Sequence, residues 1–471
     1  MKIIKNYLYN AGYQILAILL PLITTPYVSR VLGPQGVGDN AFTNSLVQYF
    51  VLLASIGIAL YGNREIAYVR ESSKNISKIF WEIQIVKTVA TLLSLGMYII
   101  FIYSYGRYTT YLWLQAINIV SVAFDISWLY MGIEDFKRTV IRNTLVKIIS
   151  LILIFVFVNN STDVGVYILI LGLSTLFGNL TLWMRLKKVL VYIPLSTLKP
   201  LKHVLPTITL FMPQIATQVY LILNKTMLGM MVGTVASGYY NYSDNLVKML
   251  LALATAMSTV MLPRISNEFS KGNLDKVCSL LYISFDYVSF ISIPMAFGLA
   301  GIANNLIPIF YGKGYSPVIS IMMIESIVIV LIGWSGTLGT QFLLPIKKVK
   351  AYTTSVMLGA VTNIIINFPL INIYGLKGAM IATVISEFVV TFYQIWYVKR
   401  IVEIKKLFKN AIKYFLSGIV MFFCVETCTY ILHTGLVALF IQIVLGIVVY
   451  CTLILLLKPT IMLELKKIIK K

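Results

Sequence analysis

The chain alternates between long apolar stretches and short polar connections. Fourteen of the stretches have about the 20 residues that a helix needs to cross the hydrocarbon core of a bilayer. They are apolar on all sides and about twice as long as the strands of a membrane β-barrel, so they predict helices. The predicted helices run from Asn10 to Val31, Asn40 to Gly62, Ile79 to Tyr103, Tyr111 to Gly132, Thr139 to Val158, Gly165 to Leu186, Pro206 to Val232, Gly238 to Leu262, Leu280 to Ile302, Val318 to Leu344, Ala351 to Ile373, Gly378 to Val398, Asn410 to Leu432 and Gly435 to Leu457.

The composition agrees with a membrane location. Hydrophobic residues make up 59% of the 471 residues and charged residues 12%, and the mean hydropathy is +0.86. A soluble fold could not cover this much apolar surface. We therefore predict an all-α integral membrane protein with fourteen transmembrane helices.

The positive charges are distributed unevenly between the connections. Most of the 39 Lys and Arg residues lie near the two ends of the chain and in every second connection. The opposite connections hold only Arg30, Arg107, Lys313 and Lys377. By the positive-inside rule, both termini are expected to be cytoplasmic. The net charge of +22 is thereby explained as a topology signal, and no nucleic-acid partner is needed to account for it.

A weak internal repeat divides the chain into two halves. At an offset of 200 residues, predicted helix two falls on predicted helix eight, with identities that include Gly33 with Gly233, Gly38 with Gly238 and Arg64 with Arg264. An even helix offset predicts parallel repeats with the substrate site between two lobes. The predicted parts are an N-lobe over 1–190 with helices one to six, a cytoplasmic linker over 191–205, a C-lobe over 206–400 with helices seven to twelve, and helices thirteen and fourteen with a basic tail over 401–471.

Polar side chains within the apolar helices are the candidate substrate-binding residues, because burying them in a membrane is costly. They recur at spacings of three, four and seven residues, which places them on one face of each helix. The first two helices of each half carry such stripes, and together they predict a hydrated, cationic and amide-rich cavity. The candidates are Gln14 and Arg30 of helix one, Asn44 and Gln48 of helix two, Gln214, Gln218 and Lys225 of helix seven, and Asn241, Asp244 and Lys248 of helix eight.

Structural roles remain open for several of these residues. Asp244 and Lys248 are four residues apart and could neutralise each other, and the amides could join neighbouring helices. Lys147 lies near the cytoplasmic end of its helix, where its side chain could extend to the membrane surface.

Three acidic residues at membrane depth, Glu325, Glu387 and Asp125, are candidates for ion or proton coupling. Each could equally be a hydrogen-bonding partner between helices.

Motifs of soluble enzymes are absent from the sequence. The chain has no phosphate-binding glycine loop, no His-Glu metal motif and no nucleophile elbow. Its four cysteines have no neighbouring ligands and are interpreted as packing residues. We expect neither a cofactor, nor a metal, nor enzymatic activity.

Three short motifs resemble those of Wzx-type polysaccharide flippases in the multidrug/oligosaccharidyl-lipid/polysaccharide exporter superfamily. The first is the run from Ser29 to Gly38, with the sequence SRVLGPQGVG. The second is Phe310-Tyr311-Gly312 with Tyr315, and the third is Tyr374-Gly375-Leu376-Lys377-Gly378-Ala379 with Ala382-Thr383. Their order and spacing match across nearly the whole chain.

The resemblance implies a V-shaped pair of six-helix lobes in a bacterial plasma membrane, with the two last helices appended. It implies movement of an undecaprenyl-diphosphate-linked oligosaccharide from the cytoplasmic to the outer leaflet, for capsule or another surface polysaccharide. Basic residues in the central cavity of the family correspond to Arg30, Lys225 and Lys248. Expected partners are the lipid-linked oligosaccharide, the bilayer, and a polysaccharide polymerase and glycosyltransferases.

Two alternatives remain open at this point. One is a cation-coupled multidrug exporter of the same superfamily, which would be expected to have an acidic cavity. The other is a membrane glycan polymerase or ligase, which would be expected to carry a large external loop.

Overall fold

In the computed structural model, residues 2–432 and 434–460 are described. The side chains of residues 2–18, 136–138, 210, 212–214, 216, 217 and 256–260 lie outside this description. Every regular element among the described residues is helical, which confirms the predicted all-α class. Eleven of the described helical segments are long and apolar enough to cross a membrane. The number of fourteen spans stays a prediction.

The helices of the first half begin near the N-terminus and reach residue 231. They are α1 (Lys2–Ser55), α2 (Ile58–Tyr68), α3 (Ser73–Tyr105), α4 (Thr109–Phe124), α5 (Ser127–Gly132), α6 (Phe136–Phe157), α7 (Val164–Trp183) and α8 (Val204–Met231). Three 3₁₀ turns join α7 to α8, at Leu186–Lys188, Leu195–Thr197 and Pro200–His203.

The second half continues with longer helices and ends in two helices beyond the repeat. Its helices are α9 (Thr234–Ser270), α10 (Leu274–Phe310), α11 (Ser316–Glu325), α12 (Val328–Leu338), α13 (Val349–Tyr374), α14 (Leu376–Val398), α15 (Ile404–Leu407), α16 (Ala411–Ile431) and α17 (Leu436–Leu457). A π-helical turn, Gly339–Leu343, follows α12.

Several boundaries differ from those predicted. Predicted helix two is interrupted between Ser55 and Ile58, and predicted helix ten is divided between α11, α12 and the π-helical turn. Predicted helix one and the first part of predicted helix two both belong to α1 and are separated at Gly33, where φ is 66° and ψ is 178°. Helical structure resumes directly after Gly33, earlier than the predicted start of helix two. A positive φ of this kind favours glycine, which has no Cβ to clash. Predicted helix four is also divided, since α4 ends before Asp125 and α5 begins after it. The Asp125 carboxylate accepts the Ser127 backbone N–H at 3.0 Å.

The chain forms two compact units, Met1–Gly229 and Met230–Lys471. Within the first unit, α8 is held to α1 by the Thr226 hydroxyl, which donates to Ser45 Oγ at 3.0 Å. In the second unit, Tyr242 stacks on Tyr311 with ring centroids 4.4 Å apart. Tyr311 belongs to the second family-like motif and is buried, so that motif serves packing at this position.

The connection between α7 and α8 is fixed to α3 by a buried carboxylate. Glu82 accepts hydrogen bonds from the Lys199 backbone N–H at 2.8 Å and forms a salt bridge with Lys202 at 2.7 Å. Its other neighbour is His203, with 2.9 Å between Nε2 and Oε2, and His203 Nδ1 lies 2.7 Å from the Tyr61 hydroxyl. This segment, predicted as a linker, is therefore docked on the first unit.

Candidate functional site

Four helices of the first unit carry polar stripes at helical spacing. Residues three, four or seven positions apart share one helix face, so each helix presents its stripe on one side. The stripes are Asn40 and Asn44 on α1, Gln115 and Asn118 on α4, Asn143, Lys147 and Ser150 on α6, and Ser174, Thr175 and Asn179 on α7.

These stripes meet around one cavity of about 410 Å³. The cavity is lined by residues of α1, α4, α6 and α7, which pack on one another within the first unit. Its described lining includes two cations and no carboxylate, and consists of Asn40, Asn44, Gln115, Asn118, Arg142, Asn143, Val146, Lys147, Ser150, Ile168, Leu171, Ser174, Thr175, Gly178 and Asn179. We call it the polar cavity.

An amide network fixes one wall of the polar cavity. Gln115 Oε1 accepts hydrogen bonds from Asn44 Nδ2 at 3.3 Å and from Asn118 Nδ2 at 2.6 Å. Gln115 Nε2 donates to Asn40 Oδ1 at 3.3 Å. The network joins α1 to α4 and holds a row of amide groups in place. Amides offer both donors and acceptors, which suits the hydroxyl groups of a sugar.

Arg142 lies in the first turns of α6 and is hydrogen-bonded to amides. Its Nη1 donates to Asn179 Oδ1 at 2.7 Å, and its Nε donates to Asn143 Oδ1 at 2.8 Å. Asp125 Oδ1 lies 3.6 Å from the same Nη1. Lys87, which is buried, donates from Nζ to the Asp125 backbone carbonyl. Positive charge therefore exceeds negative charge at this end of the polar cavity.

Lys147 lies five residues after Arg142 on the same helix and also lines the polar cavity. Charged groups inside a membrane are expensive and are typically oriented toward a protein interior or a hydrated path. The structure places Lys147 on such an interior surface, whereas the sequence left open that it extends to the membrane surface. Two cations and a row of amides in one cavity can bind an anion that also carries hydroxyl groups.

Of the predicted site residues, Asn44 and Asp125 fall in or beside the polar cavity. Gln48, one turn after Asn44 on α1, is half-buried. Arg30 is exposed on α1, three residues before the break at Gly33.

The predicted residues of helix seven lie on α8, which belongs to the first unit. Gln218 is exposed and Lys225 is half-buried. The side chains of Gln14 and Gln214 lie outside the described residues. The central position predicted for Gln218 and Lys225 stays a prediction.

The predicted residues of helix eight lie on α9 in the second unit. Lys248 Nζ and Asp244 Oδ2 form a salt bridge at 2.7 Å, and Asp244 is buried while Lys248 is exposed. Asn241, one turn earlier, is half-buried. This ion pair agrees with the alternative in which Lys248 neutralises Asp244.

The ion-coupling candidates of the second unit are buried acids. Glu325, at the end of α11, is 1% exposed and accepts a hydrogen bond from the Ser243 hydroxyl at 2.5 Å. Glu387 on α14 is 6% exposed. Both positions suit interhelical hydrogen bonding, and a coupling role stays a prediction.

The stripes on α4, α6 and α7 are the part of the site that sequence reasoning missed. Asn143, Lys147 and Ser150 stand at i, i+4 and i+7, which is the same spacing that singled out Asn44 and Gln48. The position of Lys147 near the end of its helix indicated a side chain that could extend to the membrane surface, and so did not single it out.

Family models match most of the chain. A model described as "Polysaccharide biosynthesis protein" matches residues 3–269, and one described as "Lipid II flippase MurJ" matches residues 141–457. The chain is 25% identical over 406 residues to the "Putative O-antigen transporter" of Escherichia coli (strain K12), covering 84% of this chain and 96% of the relative. It is 26% identical over 162 residues to "Lipid II flippase MurJ" of Bacillus subtilis (strain 168), covering 34% of this chain and 30% of that protein.

Solved structures share the fold. "Lipid II flippase MurJ, inward closed conformation" superposes with a TM-score of 0.76 at 19% identity, over 95% of this chain and 98% of that chain. An inward-facing multidrug resistance MATE transporter superposes with a TM-score of 0.62 at 14% identity, over 87% of this chain and 96% of that chain.

Proposed function

The chain belongs to the polysaccharide biosynthesis protein family, as a Wzx-type flippase of the multidrug/oligosaccharidyl-lipid/polysaccharide exporter superfamily, and on this premise we propose that it moves undecaprenyl-diphosphate-linked oligosaccharides. The movement runs from the cytoplasmic to the outer leaflet of a bacterial plasma membrane. The product is a repeat unit for capsule or another surface polysaccharide.

The observation that carries this proposal is the polar cavity with its two cations and its amide row. Drawing a diphosphate and several sugars through hydrocarbon is strongly unfavourable, because each polar group would lose its hydrogen bonds with water. Arg142 and Lys147 offer charge and donors to the diphosphate, and the Gln115 network offers amides to sugar hydroxyls. A headgroup held there crosses the membrane with its polar groups satisfied.

The transport cycle we propose is alternating access, in which the binding residues are exposed to one leaflet at a time. The chain binds and orients the headgroup and makes or breaks no covalent bond. Glycosyltransferases would supply the substrate on the cytoplasmic side, and a polymerase would use it outside.

The two alternatives have weaker support. A multidrug exporter of cationic compounds would need carboxylates facing its substrate, and the described lining of the polar cavity has none. A glycan polymerase or ligase would need a reactive group beside the sugar, and no acid, histidine or cysteine is among the same lining residues.

Transport by purified protein tests the proposal. The full chain is reconstituted in vesicles with an undecaprenyl-diphosphate-linked oligosaccharide placed in one leaflet, and the sugar that appears in the other leaflet is measured with an impermeant lectin. Wild-type protein should accelerate its appearance over protein-free vesicles. Equal rates with and without protein, under a membrane potential and ion gradients of either direction, would show that the chain is not such a flippase.

A further inference from the structure

An apolar chamber of about 320 Å³ adjoins the polar cavity in the first unit. It lies between α6 and α7 and is lined by Leu145, Ile149, Leu153, Leu169 and Leu173 among other apolar residues. Leu145, Ile149 and Phe177 of its lining are exposed, so the chamber is open along the apolar side of the unit. We call it the α6–α7 chamber.

Arg142 lines both spaces, together with Val146, Ser174 and Gly178. The guanidinium is held at this border by Asn179 and Asn143. A guanidinium has five N–H donors, and phosphate is a stronger acceptor than the amide oxygens that Arg142 contacts in this structure. An anion at Arg142 would therefore have polar residues on one side and apolar residues on the other.

We propose that the α6–α7 chamber binds the isoprene units next to the diphosphate of a polyprenyl-diphosphate lipid, with the diphosphate at Arg142 and the headgroup in the polar cavity. This inference rests on the proposed function and adds the location of the lipid to it. The isoprene chain gains no hydrophobic energy by leaving the bilayer, because both surroundings are apolar. Its position is set by the charge at Arg142 and by the continuity of the two spaces.

A second apolar cavity, of about 460 Å³, lies in the second unit and is the competing location. It is lined by residues of α10, α16 and α17 such as Phe290, Leu299 and Met421, and its described lining includes no charged residue. It offers room for a chain but no group for a diphosphate. The α6–α7 chamber offers both.

Photo-crosslinking locates the lipid directly. The probe is undecaprenyl diphosphate without sugars, carrying a diazirine on the isoprene unit nearest the diphosphate, and the full chain is held in phosphatidylcholine nanodiscs. The inference predicts labelled peptides from α6 and α7. Leu173→Trp should remove the labelling by filling the chamber, and the milder Leu153→Phe should reduce it. Ile152→Trp is the matched control, because Ile152 is exposed on α6 outside the chamber lining.

The role of the Arg142 charge is tested with the same undecaprenyl diphosphate probe. Arg142→Gln should weaken binding of the diphosphate probe about tenfold, the effect of losing one charged hydrogen bond, and should leave a neutral undecaprenol probe unchanged. Displacement of the probe by phosphatidylglycerol in excess would mean that the chamber binds any anionic lipid, which would overturn the inference.

Labelling in the second-unit cavity that Leu173→Trp does not change would also overturn the inference. If the wild-type protein still transports the oligosaccharide lipid in that case, the proposed function stands and only the proposed location of the isoprene chain is wrong. Failure of the wild-type protein both to bind the probe and to transport would overturn the two together.

Discussion

Arg142 donates a hydrogen bond to Asn179 at 2.7 Å and thereby joins α6 to α7 across the end of the polar cavity. Asn179 is buried and also donates from Nδ2 to the Ser121 backbone carbonyl at 2.8 Å, so it connects α4 as well. A neutral amide holds the guanidinium in place without cancelling its charge. The Asp125 carboxylate, 3.6 Å from the same Nη1, offsets one positive charge, and the buried Lys87 beside it leaves the group with a net positive charge for an anionic substrate.

Asn179→Asp tests whether that charge is used. The aspartate has the same shape and still accepts from Arg142, but the bond becomes charge-assisted and the positive charge is cancelled. We expect transport to fall about tenfold or more, and the thermal unfolding midpoint to fall as well, because the Ser121 carbonyl loses its donor. Transport in vesicles and thermal unfolding in detergent are measured on the same preparation, and undiminished transport would show that no anion uses Arg142.

Gly178 permits the close approach of α6 and α7. A Cβ at this position would lie 2.2 Å from Val146 Cγ2, so Gly178→Ala should force the helices apart and cost about 1–3 kcal/mol of unfolding free energy. Adding Val146→Ala removes the clashing methyl group and should restore most of the loss. Gly96→Ala is the control, because a Cβ at Gly96 meets open space. A Gly178→Ala variant as stable as Gly96→Ala would refute the close packing.

The buried carboxylate of Glu82 fixes the connection between α7 and α8. Glu82→Gln keeps the shape but loses the charge that Lys202 and His203 contact, at a cost of about 1.5–3 kcal/mol. We expect faster tryptic cleavage after Lys202, since Pro200 blocks cleavage after Lys199. Glu65→Gln should leave the cleavage rate unchanged, since Glu65 pairs with the exposed Arg64 at the surface. Equal cleavage of both variants would mean that Glu82 does not hold this connection.

Variants of the Asp244–Lys248 ion pair distinguish two roles for Lys248. If Lys248 serves to neutralise Asp244, Lys248→Gln alone should impair the protein because it removes this cation from a buried carboxylate, and the double variant with Asp244→Asn should recover. If Lys248 binds the substrate, the double variant should remain impaired in transport at normal protein levels. The geometry favours recovery, and transport by the three variants decides between the roles.

The sequence predicted the helical class, most helices and the stripe of Asn44, because apolar length and helical spacing are local properties. It did not predict which stripes face each other. Lys147 shows the reason: its position in the chain sets its depth, but the rotation of a helix about its axis is set by packing against its neighbours. A break between helices one and two was predicted over residues 32–39, and the structure confines it to Gly33, since proline and glycine in the run SRVLGPQGVG are as typical of a loop as of a kinked helix.

The measurement that tests the central claim most directly is transport by the Arg142→Gln, Lys147→Gln double variant in reconstituted vesicles. Both glutamines keep polar side chains, so the variant removes the positive charge of the polar cavity, together with the Arg142 hydrogen bonds to Asn179 and Asn143. Lys405→Gln with Lys406→Gln is the matched control, because it removes two exposed lysines elsewhere. The account predicts that the cavity variant loses nearly all transport of the diphosphate-linked oligosaccharide and that the control keeps it. A transport rate of the Arg142→Gln, Lys147→Gln variant equal to that of the wild-type protein would contradict the account.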